Sequence, residues 1–253
     1  MPPPLALVVG VGAERGLGAA VARRFAAGGH RVLVAGRTAT KIEAVARAIA
    51  RTGGIAESHV ADATSEADVL RLFDQAFGEE GRAASTSSPR EDADVVVFNA
   101  GTIQRSGLRD VSVAQFEELW RVCCLGGFLV AREAARRLAP RGRGTVLLTG
   151  ASASLRGKAN FAAFAAAKAG LRMVAQSMAR EFGPQGLHVA HVVIDGGIDG
   201  ERLRVARPQA ADGTDADTLL DIDAIAEAYW QIHRQHRSAW TQEMDLRPWK
   251  ETF

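Results

Sequence analysis

The sequence predicts an α/β chain built on a doubly wound parallel sheet with helices on both faces. Three observations carry this. Short β-branched runs alternate with longer amphipathic stretches from end to end. The runs are apolar almost throughout, as strands buried on both faces require. The first of them passes straight into a glycine-rich turn that opens a helix. Strands are expected at Leu5–Val9, Val32–Ala35, Ile55–Val60, Asp94–Phe98, Thr145–Thr149 and His188–Ile194. Helices are expected over residues 17–28, 40–52, 65–78, 112–138, 161–182 and 222–235. Ser112-Val-Ala-Gln115 reads as a capping box opening the fourth helix. Repeated βα units in this order imply right-handed crossovers.

Length and composition narrow the class. The 253 residues suit one domain spanning 1–253, and the 47% hydrophobic content is ample for its core. The net charge of +2 is spread along the chain without a dense basic block, which argues against nucleic acid as a partner. Cys123 and Cys124 are adjacent, so they do not suit a disulfide, and two thiols alone make no metal site. A cytoplasmic protein is the expectation. Residues 1–9 lack the pattern of a signal peptide, and no apolar run approaches the ~18 residues of a membrane helix. Two segments interrupt the βα rhythm. Residues 82–93 read as a solvated loop, and residues 199–221 as a mobile lid at the carboxyl edge of the sheet.

The glycine-rich turn, Gly12-Ala-Glu-Arg15-Gly16-Leu17-Gly18, has the form of a phosphate cradle. Its glycines let backbone approach a pyrophosphate, and the helix that follows offers free N–H groups and the positive end of its dipole. The second strand ends in Gly36-Arg37. An acid near that point would favour the ribose 2′-hydroxyl of NAD(H), whereas an arginine suits a 2′-phosphate. With Arg15 able to approach from the turn, NADP(H) is preferred over NAD(H). Asp62, after the third strand, is placed for the adenine edge.

Three further segments complete a pattern: Asn99-Ala100-Gly101 after the fourth strand, Thr149-Gly-Ala151-Ser152 after the fifth, and Phe164-x-x-x-Lys168 in the helix beyond. With the glycine turn, the chain closely resembles the classical short-chain dehydrogenase/reductase family from Leu5 to about Leu246. The resemblance implies a Rossmann fold, an NAD(P)-dependent oxidoreductase acting on a small carbonyl or alcohol, and a homodimer or homotetramer packed through the two long helices. It also implies that Lys168 binds the nicotinamide ribose and that Ile198, shortly after the sixth strand, contacts the cofactor.

The chain departs from the family where the chemistry lies. The family's catalytic Tyr, Ser and Asn align with Phe164, Ala151 and Cys123, and only the Lys is kept, as Lys168. The Pro-Gly after the sixth strand is Asp195-Gly196, and a nearby Thr is Gly200. This resembles a divergent subgroup that carries Phe for Tyr. A general acid is typically worth ~10²–10⁴ in rate, and Phe164 has no hydroxyl with which to provide it. Ser152 and Lys168 are then the candidates for catalysis. The sole tyrosine, Tyr229, and His191 in the sixth strand read as core residues. The alternative function is an NADP(H)-binding protein without turnover, acting as a sensor or inactive partner subunit.

Overall fold

A computed structural model of the chain describes residues 3–77, 94–206 and 218–251. Seven strands form one parallel sheet in the order β3-β2-β1-β4-β5-β6-β9. They are β1 (Leu5–Val9), β2 (Arg31–Gly36), β3 (Ile55–Val60), β4 (Val95–Phe98), β5 (Gly144–Thr149), β6 (Leu187–Ile194) and β9 (Glu243–Leu246). A separate pair, β7 (Gly197–Ile198) and β8 (Leu219–Leu220), follows β6. Every residue of β1, β4, β5 and β6 is buried, because these strands lie inside the sheet with helices on either side. Their all-apolar sequences answer to that position.

Register brings the ends of the central strands level. Val9 pairs with both Ala35 and Phe98, and Phe98 with Leu148. The turns leaving β1, β4 and β5 therefore open side by side on the carboxyl edge, beside the point where strand order reverses. Helices α1 (Leu17–Ala27), α2 (Ala39–Arg51) and α8 (Ile222–His233) supply Phe25, Ile42 and Tyr229 to the core on one face. Helices α3 (Glu66–Phe77), α5 (Gly126–Leu138) and α6 (Ala162–Phe182) supply Phe73, Leu138 and Leu171 on the other.

The structure corrects three expectations. The helix expected over 112–138 is not regular: α4 (Val113–Trp120) passes through a π-helical turn, Arg121–Leu125, into α5. The expected capping box is present at its start, with Ser112 Oγ accepting from Gln115 N and Gln115 Oε1 accepting from Ser112 N. Second, β3 is an edge strand; Ile55 and Val60 are 53% and 55% exposed, so its apolar residues do not mark two-sided burial. Third, β9 is a strand that the polar sequence Glu-Met-Asp-Leu conceals. Within the segment expected as a lid, α7 (Glu201–Ala206) follows β7 after two residues. The rest of that segment up to residue 217, and the expected loop at 82–93, lie outside the described residues.

Candidate active site

The glycine turn is fixed by a close crossing of two chains. Gly10 has φ +92°, and a Cβ there would lie 2.2 Å from the nitrogen of Ala100. Only glycine meets both conditions. Asn99 fastens the crossing: its backbone nitrogen donates to Val9 O at 2.8 Å and its Nδ2 to Gly10 O at 3.2 Å. Gly12 faces open space, with nothing within 4 Å of where a Cβ would stand. Helix α1 starts at Gly16, with Leu17 buried beneath it and no side chain capping its first amides. Gly18 lies against Asn99 and the Gly10 carbonyl. An open glycine cradle with uncapped amides fits the pyrophosphate of a nicotinamide dinucleotide.

The other predicted nucleotide contacts are placed unequally. Arg37 is exposed just beyond β2. Arg15 points instead toward the segment after β7, pairing with Asp199 at 2.9 Å. Arg204 clamps the same carboxylate at 2.6 and 2.8 Å. The Arg204 hydrogen bond, with help from Arg15, holds the Asp199 carboxyl below its ordinary range against the opposing effect of burial. Glu201 N donates to Arg15 O at 2.7 Å, so the start of α7 rests on the glycine turn. Asp62 spends one carboxylate oxygen on its own turn, accepting from Thr64 N and Thr64 Oγ1 at 2.9 Å each. Ile198 is half-buried and pairs with Leu220.

Lys168, in α6, is buried against the ends of β4 and β5. Its Nζ donates to Thr149 O at 2.8 Å, and a Cβ on Gly101 would stand 3.7 Å from it. Burial lowers its pKa, opposed by the neighbouring Cys123 thiol. Thr149 is itself tied in two directions, with Oγ1 2.8 Å from the Tyr229 hydroxyl and 3.3 Å from Asn99 Oδ1. Tyr229 is a core residue, as expected, and burial raises the pKa of its phenol.

Phe164, Cys123 and Ala151 belong to one apolar cluster with Leu119, Val122 and Phe161. These three side chains are thus packed together in apolar surroundings. Cys123 Sγ turns to the Thr102 carbonyl at 3.4 Å. Cys124 is buried beside it, and burial raises its pKa, as in an inert thiol. Ser152 starts the 3₁₀ turn Ser152–Ser154, while the Ser154 hydroxyl accepts from Ala151 N at 3.1 Å. Ser152 is half-buried, and among the described residues its hydroxyl has no side-chain partner.

Two arrangements were not anticipated from the sequence. His191 is fully buried, and its Nδ1 lies 3.0 Å from Glu243, which Arg172 clamps at 2.7 and 2.8 Å. His191 Nε2 has no partner and lies against Gly150, where a Cβ would be only 2.3 Å away. Burial pushes the imidazole pKa down to about 4. The second is Asp195, buried at the end of β6 and held by Arg156 at 2.9 and 3.0 Å. It anchors the segment after β5 to the end of β6. Spacing carried a signal for the first: Arg172 follows Lys168 by four residues and shares its helix face.

Comparison with known proteins agrees with this architecture. Residues 6–211 match the model of the short chain dehydrogenase family, and the chain belongs to that family. Among its relatives are trihydroxynaphthalene reductase of Colletotrichum orbiculare, 28% identical over 232 residues, which cover 91% of this chain and 77% of that protein. A versicolorin reductase of Emericella nidulans is 31% identical over 228 residues, covering 89% and 80% respectively. A short-chain dehydrogenase structure from Rhodopseudomonas palustris superposes with a TM-score of 0.78 at 34% identity, covering 97% of this chain and 99% of that one. A metagenomic short-chain oxidoreductase in complex with NADP superposes with a TM-score of 0.78 at 26% identity, each chain covered to 99%. Relatives of this kind are reductases, and the chain is of the oxidoreductase class. Among the described residues, no helix is long and apolar enough to cross a membrane.

Proposed function

We propose that the protein is an NADP(H)-dependent reductase of a small carbonyl compound, from a divergent subgroup in which Phe replaces the catalytic Tyr. The carrying observation is Lys168, buried with its ammonium on Thr149 O and facing Gly101, which follows the strand next to the one that opens the glycine cradle. Burial of an ammonium is costly, and a purely structural site would be better served by an apolar side chain. Arg37 at the end of β2, and the NADP named for a structural neighbour, support the phosphorylated cofactor.

Gly12, Gly16, Leu17 and Gly18 would hold the pyrophosphate, and Arg37 the 2′-phosphate. Asp62, with its remaining oxygen, would meet the adenine. Ala100, Gly101, Lys168 and Ile198 would surround the nicotinamide ribose. When bound, the reduced cofactor supplies hydride. The chain's own residues then have to supply a proton to the nascent oxygen. Phe164 offers none, so Lys168 serves as the acid, its lowered pKa favouring proton release, and Ser152 polarises the carbonyl.

The non-catalytic reading rests on a different observation, the apolar cluster of Phe164, Cys123 and Ala151. Calorimetric titration with NADPH and NADH, followed by single-turnover absorbance against a carbonyl panel, separates the two. The reductase reading expects tighter NADPH binding and loss of the reduced-nicotinamide band with some carbonyl. Tight binding without oxidation favours the sensor or partner subunit; no binding refutes both. A dimer through α4, α5 and α6 accords with the exposure of Phe116, Trp120, Phe128 and Met173 on those helices. Light scattering that gives a monomer mass at all concentrations would refute it.

A further inference from the structure

Two loops leave the carboxyl edge of the sheet from neighbouring strands. One runs from Gly101 to Ser112 after β4, the other from Gly150 to Phe161 after β5. They are joined: Ser106 N donates to Asn160 O at 2.9 Å. Asn160 holds a left-handed φ of 68°, alone among the described non-glycine residues. Asparagine tolerates that conformation better than most residues, and a backbone held there implies that its surroundings fix it. Gln104, Ser106, Asn160 and Phe161 line a small cavity between the loops. At its inner end the first loop meets Lys168 at Gly101, where a Cβ would stand 3.7 Å from Nζ, and the second begins beside Ser152.

The outer ends of these loops are cationic. Arg105, Arg109 and Lys158 are exposed, and none has an ion-pair partner among the described residues. Elsewhere arginines are commonly neutralised, as Arg141 is by Asp94 and Arg172 by Glu243. Arg156, on the same rim, is already committed to Asp195. Asp110 is the sole acid in the two stretches 102–110 and 152–161. The whole chain carries a net charge of only +2, so this concentration is not a share of a general excess. Between the cations stand apolar side chains that face solvent: Ile103 is 48%, Leu108 77% and Leu155 42% exposed.

We infer that the carbonyl compound accepted here has an apolar body and an anionic group, the anion being held by Arg105, Arg109 and Lys158. The inference rests on the reductase reading above. Unpaired cations on the wall of a cleft focus their field on an entering anion and form charge-assisted hydrogen bonds with it. Arg105 follows Gly101 by four residues, at most ~14 Å of extended chain. A carboxylate set a few carbons from the reacting carbonyl lies within that bound. A neutral ketone would leave the three cations unused.

The test is calorimetry on protein saturated with NADP⁺, titrated with benzoylformate and 3-benzoylpropanoate and with the methyl ester of each. At least one keto acid is expected to bind about tenfold or more tightly than its ester at low salt. Added sodium chloride should shrink that advantage. The exposed double variant Arg105→Glu/Lys158→Glu should abolish it, while Arg180→Glu, on the distant end of α6, should not. Equal affinity for acid and ester, no binding of either, or an advantage that survives the double reversal would overturn the inference. If NADP⁺ itself fails to bind in the first titration, the reductase reading has failed, and this inference with it.

Discussion

Lys168 donates from Nζ to the carbonyl oxygen of Thr149 at 2.8 Å while almost wholly buried. One hydrogen bond does not repay the hydration that an ammonium gives up, and its pKa falls accordingly. The sign of the effect on stability follows. Below the folded-state pKa the lysine is charged in both states, and its burial costs stability throughout that range. The cost shrinks as pH rises through the folded pKa and is gone near ~10.4, where the unfolded lysine also loses its proton. Lys168→Met is thus expected to raise the free energy of unfolding by about 1 kcal/mol at pH 7. The gain over wild type should close toward pH 10. The same variant should bind NADPH about tenfold more weakly. Denaturant melts at several pH values and one calorimetric titration check both; a destabilised variant with unchanged nucleotide affinity would make Lys168 a structural residue.

Phe164 packs in one apolar cluster with Cys123 and Ala151, so restoring its hydroxyl alone should restore little. A phenol there would find no hydroxyl or amide side chain at 151 or 123 beside it, and the apolar surroundings would raise its pKa. Phe164→Tyr is expected to change single-turnover rates by less than about tenfold. The triple change Phe164→Tyr/Ala151→Ser/Cys123→Asn should recover more of the ~10²–10⁴ that a positioned acid supplies. Stopped-flow absorbance of the reduced nicotinamide on a common carbonyl panel makes the comparison. A single variant as fast as the triple would show that the rest of the pocket never lost its function.

The fold was legible because its signals are local and repeat. Leu5–Val9 reads as a buried strand from five apolar residues, and Ser112 with Gln115 announces its own helix start. What escaped depends on partners distant in sequence. Glu243 in β9 is polar because it meets His191 and Arg172, at 52 and 71 residues' separation. Arg15 seemed free for a phosphate, yet Asp199, 184 residues on, holds it. Cys123, Ala151 and Phe164 could each be singled out from the sequence. That they form one cluster could not be read there, because a π-helical turn, the loop after β5 and the first turn of α6 bring them together.

Tyr229 and Thr149 are predicted to act as one unit. Their hydroxyls meet at 2.8 Å in the core, and Thr149 continues the chain to Asn99, which holds the Gly10 turn. Removing one member leaves a buried polar group unsatisfied, at a cost of about 1–3 kcal/mol. Tyr229→Phe and Thr149→Val should each destabilise by about that amount, and the double variant by clearly less than their sum. Both single variants should also weaken NADPH binding, since the network ends at the glycine turn. Chemical denaturation of the four-member cycle measures the coupling; strict additivity would mean that the two hydroxyls do not share a bond that matters.

His191 gives the protein an acid-sensitive point. Its pKa is about 4 in the fold because burial disfavours the imidazolium, although Glu243 beside it works the other way and Lys168 and Arg172 oppose protonation. An unfolded histidine takes its proton near ~6.5. Between those values the unfolded chain binds the extra proton and the native protein does not, so stability falls as pH drops from about 6.5 toward 4. The ceiling on the loss is about 3 kcal/mol, from ~1.36 kcal/mol for each pKa unit of difference. His233, buried on the opposite face of the sheet with its pKa lowered to about 3, adds to the same slope. Removing the histidine at 191 should flatten the pH dependence of unfolding between 6.5 and 4 while lowering stability at pH 7, since the Glu243–Arg172 pair loses its third member. His191→Gln keeps a hydrogen-bonding end without the titration and is the variant to measure. A slope unchanged from wild type over that range would mean that the imidazole titrates normally and is not held neutral in the fold.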